Sequence, residues 1–416
     1  MGISSAMFSG VSGMNTATTA MSVIGNNISN SNSVGFKSSS TVFSDLLSST
    51  IATAGGTGQV GRGAAVEAVP TNFSQGTFQN TSSSTDLAVE GDGFFVLSQP
   101  TTGSLSYTRD GSFSFDADGY LTSASGLRVQ GQAYDASGNL VGGAPNDIQV
   151  QSGSLVPAQA TSTMTLTNNL DANATVPTAT PFDPANQATY NFATGTQVYD
   201  SLGNAHTLTT YFAKNSSNTW DWHVVDESGN EVANSSTAPN AQLTYNPDGS
   251  LAGGGSATIS GLNWNNGSVS PQSVNLNFAS TQYSSTSQSI SQSQDGYAPG
   301  TLSGTSVDND GNVVATYSNG QKVNVASVAL ASFSNPQGLS KSGNNLFTAT
   351  SASGGAQTGV SGPQHGTIFA DSLEQSNVDL GTEFVNMITV ERGYQANSKV
   401  ITTVDQMMQS LISLKQ

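Results

Sequence analysis

The two ends of the chain constrain it most, because each carries a seven-residue apolar repeat that a lone helix cannot hide. Near the N-terminus, Met7, Met14, Met21 and Ile28 fall on one line, and Ile3, Gly10, Ala17 and Ile24 on a second. Near the C-terminus, Leu380, Met387, Tyr394, Ile401 and Met408 form one set; Val390, Val404 and Leu411 form another, interrupted by Glu383 and Asn397. This spacing puts each pair of sets on one helix face, in the manner of a coiled coil. A helix of this size is marginal in water and draws most of its stability from packing that face, at roughly 1.5–3 kcal/mol per buried aliphatic side chain. The first segment is weaker still, since Gly10, Gly13 and many Ser and Thr lower its propensity. The two helices are therefore expected to pack on each other or on neighbouring copies, which brings the chain ends together.

The long stretch between them shows almost no helical period. "DLAVEGDGFFVL" (86–97) reads as strand, turn, strand. Hairpin turns are expected at Asp110-Gly111, Asp118-Gly119, Asp310-Gly311 and Asn319-Gly320, between runs that alternate apolar and polar residues. Residues 153–282 differ in texture, and the Ser/Gln-rich stretch 280–294 reads as a linker closing them. The expected fold is mainly β, with paired N- and C-terminal α-helices and a nested, multidomain plan. Residues 1–34 and 371–416 form the helical core, and 35–80 a connector. A discontinuous β domain spans 81–152 and 283–370, and carries 153–282 as an inserted outer β domain.

Composition excludes several functions. Ten Lys and Arg against 27 Asp and Glu leave a formal charge of −17, the wrong sign for nucleic acid or for an anionic membrane surface. With no cysteine there are no disulfides, thiolate nucleophiles or cysteine zinc sites. No apolar run is long enough to span a bilayer. Ser, Thr, Gly and Asn interrupt the N-terminal segment, which lacks a basic start, so export without a cleaved signal peptide is expected.

Candidate chemistry is sparse. His206, His223 and His365 are far apart and lack metal-ligand spacing. "DADG" (116–119) and "DNDG" (308–311) resemble calcium loops, but the glycine comes fourth rather than sixth, so hairpin turns are expected. Trp220 and Trp222 share one face of a strand, as core residues or as a sugar-stacking platform. No catalytic residue, cofactor or metal site is expected.

One polar stretch stands out. "NNISNSNSVGFKSSS" (26–40) follows a helix without a charged side chain and contains the chain's first charge, Lys37. Asn26, Asn27 and Asn30 are suited to satisfying backbone groups at a helix end. Gly35 permits a sharp turn, and Phe36 offers an apolar anchor. The stretch is expected to be an ordered connector rather than a loose linker.

"SGMNTATTAMSVIGNNISNSNSVGFK" and "EQSNVDLGTEFVNMITVERGYQANSKVITTVDQMMQSLISL" resemble the terminal signatures of bacterial flagellar rod and hook axial proteins. "VYDSLGNAHTLTTYF", "DGYAPGTLSGTSVDNDGNVVATYSNGQ" and "VALASFSNPQGLSKSGNNLF" are similar to the flagellar hook proteins in particular. The resemblance implies a structural subunit that polymerises into a flexible helical tube, a universal joint carrying torque from rod to filament and enclosing an export channel. It implies self-association as the main partnership. It also implies contacts with rod and hook-associated proteins, and with a hook cap and type III export apparatus during assembly. A distal rod or hook–filament junction subunit is the nearest alternative; a secreted carbohydrate-binding or adhesive β protein is one of another class.

Overall fold

The computed structural model describes residues 2–47, 49–53, 56–135, 137–151, 153–234 and 242–413, with backbone alone at 2–4, 49–53 and 56–60. Two long helices, α1 (Gly2–Ser29) and α2 (Leu380–Ser413), flank a mainly β chain, and no other α-helix occurs among the described residues. The chain forms two compact units: residues 1–152, 304–316 and 322–416, and residues 153–303 and 317–321.

In the first unit, Phe94–Ser98 is the organising strand. It pairs antiparallel with Leu105–Thr108, with Arg128–Ala133 and with Lys322–Ser332. It is buried along its whole length, as a continuous apolar run covered on both faces should be. Phe94, Tyr107, Phe333 and Phe347 meet edge to face across this core, each pair adding about 0.5–1.5 kcal/mol beyond area burial. Leu87–Glu90 pairs with Thr367–Ala370, and Phe78–Asn80 with Ser372–Glu374. The segment that leads back to α2 is therefore fastened by strands from the N-terminal half.

The second unit has two sheets over one core. Thr163–Asp171 runs parallel to Gln272–Tyr283 for nine paired residues and antiparallel to Gln288–Gln294. The other sheet is built on Phe192–Tyr199, Ala205–Ser216 and Thr219–Val225. Burial alternates along the long strands, so their inward residues make a single cluster that includes Met164, Leu208, Phe212, Trp220, Trp222 and Phe278. Trp220 and Trp222 are both 0% exposed. They are core residues, and a sugar platform on them is ruled out.

Two further expectations are corrected. The stretch 280–294 is not a linker: it ends one strand and contains the edge strand Gln288–Gln294. The compact unit accordingly runs to 303 instead of 282. Ser and Gln disguised the strand because its side chains are nearly all exposed, leaving no apolar alternation to read. Nor is Asp110-Gly111 a hairpin turn: Phe113–Phe115 pairs with Leu121–Ser123 instead of folding back on Leu105–Thr108. Gly111 serves close packing, since a Cβ there would lie 1.8 Å from the Leu87 carbonyl oxygen.

Several turns share an Asp-x-x-Gly pattern and follow one rule. Asp116, Asp200, Asp226 and Asp308 each accept backbone N–H bonds from the residues two and four positions on, through one carboxylate oxygen. The fourth residue is a glycine with φ between +81° and +85°, a region closed to most side chains. At 116 and 308 the carboxylates that resemble calcium ligands are thus occupied by backbone amides.

Candidate assembly site

The paired helices and their connector hold most of the residues singled out from sequence. Asn27 Nδ2 donates to Glu383 Oε1 at 2.9 Å. Gly13 lies against Asn397, and Gly10 against Ile401. As one number rises its partner's falls by nearly the same step, so α1 and α2 run antiparallel. The approach is close because the seam is small: a Cβ on Gly13 would sit 2.6 Å from the Asn397 side-chain amide, and one on Gly10 3.0 Å from Ile401 Cγ1.

The seam only partly follows the large apolar residues. On α1, Gly10, Ala20, Ile24 and Asn27 are buried, Met14, Ala17, Met21 and Ile28 are half-buried, and Met7 is exposed; the Ile3 side chain lies outside the described residues. On α2, Val404 is buried, Met387, Val390, Asn397 and Ile401 are half-buried, and Leu380, Tyr394, Met408 and Leu411 are exposed. Gly13, Ala20 and Asn27 were missed as seam residues. Their seven-residue spacing was present, but a search for large apolar side chains passes over it.

Both helices carry apolar side chains away from the seam. Phe8 and Val11 are exposed and line a cleft of about 420 Å³ with Leu46, Leu47 and Arg62. Phe384, Val385 and Ile388 form an exposed group on α2. At 3.6 residues per turn, the first group lies about 160° around α1 from its seam and the second about 140° around α2 from its own. The two patches therefore occupy opposite sides of the helix pair. They also lie about 23 Å apart along its axis, by the helical rise.

The stretch between α1 and the β sheet is heavily hydrogen-bonded. Asn30 Nδ2 donates to the Asn26 carbonyl at 2.9 Å, satisfying part of the helix end. Asn27 donates to the Ser39 carbonyl at 2.8 Å and accepts from the Ser39 N–H at 3.0 Å, folding the chain back on α1. Asn345 Nδ2 donates to the Val34 carbonyl at 2.9 Å, and Asn377 Oδ1 accepts from the Ser38 N–H at 2.8 Å. Gly35 has φ +66° and rests on the 109–110 backbone. Phe36 is buried with the Lys341 ammonium 5.8 Å above its ring.

Beneath this stretch is a dry ionic group. Lys37 Nζ lies 2.6 Å from Glu374 Oε1 and donates to the Ser74 carbonyl at 2.8 Å. Arg109 Nη1 lies 3.4 Å from Glu374 Oε2 and donates to the Val89 carbonyl at 3.2 Å; Nη2 donates to the Gly91 carbonyl. None of the three side chains is more than 2% exposed. Burial pushes Lys37 and Arg109 below their usual ranges while Glu374 pulls each back up. From sequence only Lys37 was singled out; Glu374 lies 337 residues away.

The histidines serve packing. His206 bridges Asp200 and Glu227 and stacks on Trp264 at 3.9 Å; His223 meets Glu231 and stacks on Phe182. No group of three His, Asp or Glu suited to a metal ion occurs among the described residues. No helix among them is long and apolar enough to cross a membrane.

Four family models match the chain in order: flagella basal body rod protein (7–37), flagellar hook protein FlgE/F/G D1 domain (88–169), flagellar basal body protein FlaE D2 domain (169–297) and flagellar basal body rod FlgEFG protein C-terminal (370–414). The flagellar hook protein FlgE of Escherichia coli (strain K12) is 36% identical over 413 residues, covering 97% of this chain and 98% of the relative. That of Borreliella burgdorferi is 36% identical over 447 residues, covering 98% and 99%. That of Treponema pallidum is 34% identical over 465 residues, covering 99% of each. Among solved structures, the crystal structure of Helicobacter pylori flagellar hook protein FlgE2 is similar in fold, with a TM-score of 0.51 at 13% identity over 71% of this chain and 99% of that one.

Proposed function

The chain belongs to the flagellar hook protein family, a structural component of the flagellum, and we propose that it polymerises through its terminal helices into the tube of the hook. The observation that carries this reading is the placement of two dissimilar apolar patches on opposite sides of one antiparallel helix pair. A patch around Phe8 that meets the patch around Phe384 of the next copy makes a heterologous contact. Such a contact leaves a free patch at each end, and an interface that does not close generates an open helical polymer.

In this reading, residues 1–34 and 371–416 form the inner tube around an export channel. Residues 35–80 form the connector, and the β units lie outside the tube. The stripe residues Met7, Met14, Met21, Leu380, Tyr394, Met408 and Leu411 pack between copies where they are not already in the intramolecular seam. A universal joint carries torque while bending, which suits stiff helices within and lightly charged polar surfaces outside, able to shift register. The role is structural and needs no catalysis. Rod and hook-associated proteins abut the tube ends. The subunit passes the export apparatus and adds under a hook cap, and its helices order as they join the tube, where the apolar side chains outside their mutual seam find partners.

Electron microscopy of the purified chain after addition of a precipitating salt tests the reading: tubes are expected, and persistent monomers refute it. Hydrogen exchange tests the ordering step, which fails if residues 3–28 are firmly protected in the free chain.

A further inference from the structure

We infer that Lys37, Arg109 and Glu374 are positioning residues that key the helix pair to the β sheet at one fixed angle, and so set the stiffness and curvature of the polymer. The inference rests on the assembly reading above.

One carboxylate is the meeting point of three parts of the first unit. Glu374 lies between the sheet and the start of α2. Lys37 lies between the end of α1 and the sheet, and Arg109 belongs to the sheet side. The Gly35 N–H donates to the Glu374 carbonyl at 2.8 Å, and the Gly76 N–H to Glu374 Oε1 at 2.8 Å. Both covalent routes from the helices to the β sheet are thus tied to a single residue, through its main chain and its carboxylate. A load carried along the chain from either helix to the sheet passes this point.

Stability alone is a poor account of the group. Removing ions from water costs much of what their attraction returns, and apolar residues of similar volume often hold a fold as well. The triad also sets two cations against one anion. What it supplies is direction. The 2.6 Å Lys37–Glu374 contact is a short charge-assisted hydrogen bond, Arg109 is held by carbonyls as well as by the carboxylate, and the buried group is closed to competing solvent. The Asn377 amide donations to Asn72 and Ser74 and the Lys341 contact with Ser39 are exposed, so water competes for them and they can slip. In a chain with only 9% charged residues, three charges are concentrated at the one place where slippage would decouple helix from sheet.

The test is Lys37→Met. It removes one of two cations and leaves the Arg109–Glu374 pair balanced, so the chain should fold and assemble. Tubes from it are expected to show a severalfold shorter persistence length and variable curvature in electron micrographs, with the unfolding midpoint of the free chain little changed. Lys37→Arg, which keeps the charge, should recover much of the stiffness. Lys37→Met tubes with wild-type persistence length and curvature overturn the inference. Should that variant fail to assemble, the triple variant Lys37→Met, Arg109→Met, Glu374→Leu decides, because it leaves no unpaired buried charge. Wild-type tube mechanics from the triple variant overturn the inference; a normal unfolding midpoint with soft tubes or none supports it. Failure of the wild-type chain to form tubes refutes the assembly reading itself, and this inference with it.

Discussion

Replacing Gly35 by alanine tests whether the connector must dock for assembly. Gly35 has φ +66°, a conformation that costs an L-residue with a side chain roughly 1–2 kcal/mol. The new Cβ would also lie 2.4 Å from the Asp110 nitrogen and 2.6 Å from the Arg109 carbonyl carbon. Both are backbone atoms, so no side-chain rotation relieves the overlap. The connector has to lift, which pulls on the Gly35 N–H to Glu374 bond and on Lys37 behind it. Overpacking of this kind costs about 1–3 kcal/mol. Together the two effects come to about 2–5 kcal/mol, or roughly 30- to 5000-fold in an equilibrium constant. The assay is the critical concentration for tube formation, measured by sedimentation across a protein dilution series. It should rise by that factor, while thermal unfolding of the free chain's β units stays unchanged. Gly25→Ala is the control: it lies within α1, and a Cβ there meets nothing within 4 Å. An unchanged critical concentration for Gly35→Ala refutes the claim that the docked connector is part of the assembled state.

Other outcomes follow from the same geometry. Ile388→Asp should leave the free chain's unfolding untouched and abolish tube formation, because Ile388 is exposed on the far side of α2; tubes at the wild-type critical concentration would remove that patch from the interface. Trp222→Ala should destabilise the second unit by about 3–5 kcal/mol, the usual cost of emptying a large aromatic site, read as a lower urea midpoint. The Tyr245 phenol is pushed up to about 12 by burial, despite its bond to Ser280. A group that ionises near pH 10 unfolded and near 12 folded withholds its proton only in the native state. Stability from this residue is intact below pH 10 and is lost as pH rises toward 12, by about 2–3 kcal/mol; Tyr245→Phe should flatten that part of a stability–pH curve. Asp200 is held far below the usual carboxylate range, desolvation being outweighed by donors from Asn204, Asn266 and His206. Its contribution is present above the unfolded carboxylate range and disappears as pH falls toward the folded value, so Asp200→Asn should blunt the acid unfolding of the second unit.

The sequence by itself determined the plan. Helices at both ends follow from seven-residue repeats, and the β interior from alternating strands punctuated by Asp-Gly and Asn-Gly dipeptides. These signals are local: each depends on spacing within a few residues. Trp220 and Trp222 were legible as a same-face pair for the same reason. Tertiary structure decided what depends on distant partners or on the absence of side chains. The seam between the helices runs through Gly10, Gly13, Ala20 and Asn27, and small residues signal a close approach only once the opposite helix is in place. The edge strand Gln288–Gln294 passed for a linker because exposed Ser and Gln carry no burial pattern. "NNISNSNSVGFKSSS" gave up its asparagines and its Gly-Phe-Lys as a candidate joint. That Lys37 would be buried against Glu374, with Arg109 on the same carboxylate, was not written there, since an ion pair across 337 residues leaves no mark in the local order of either segment.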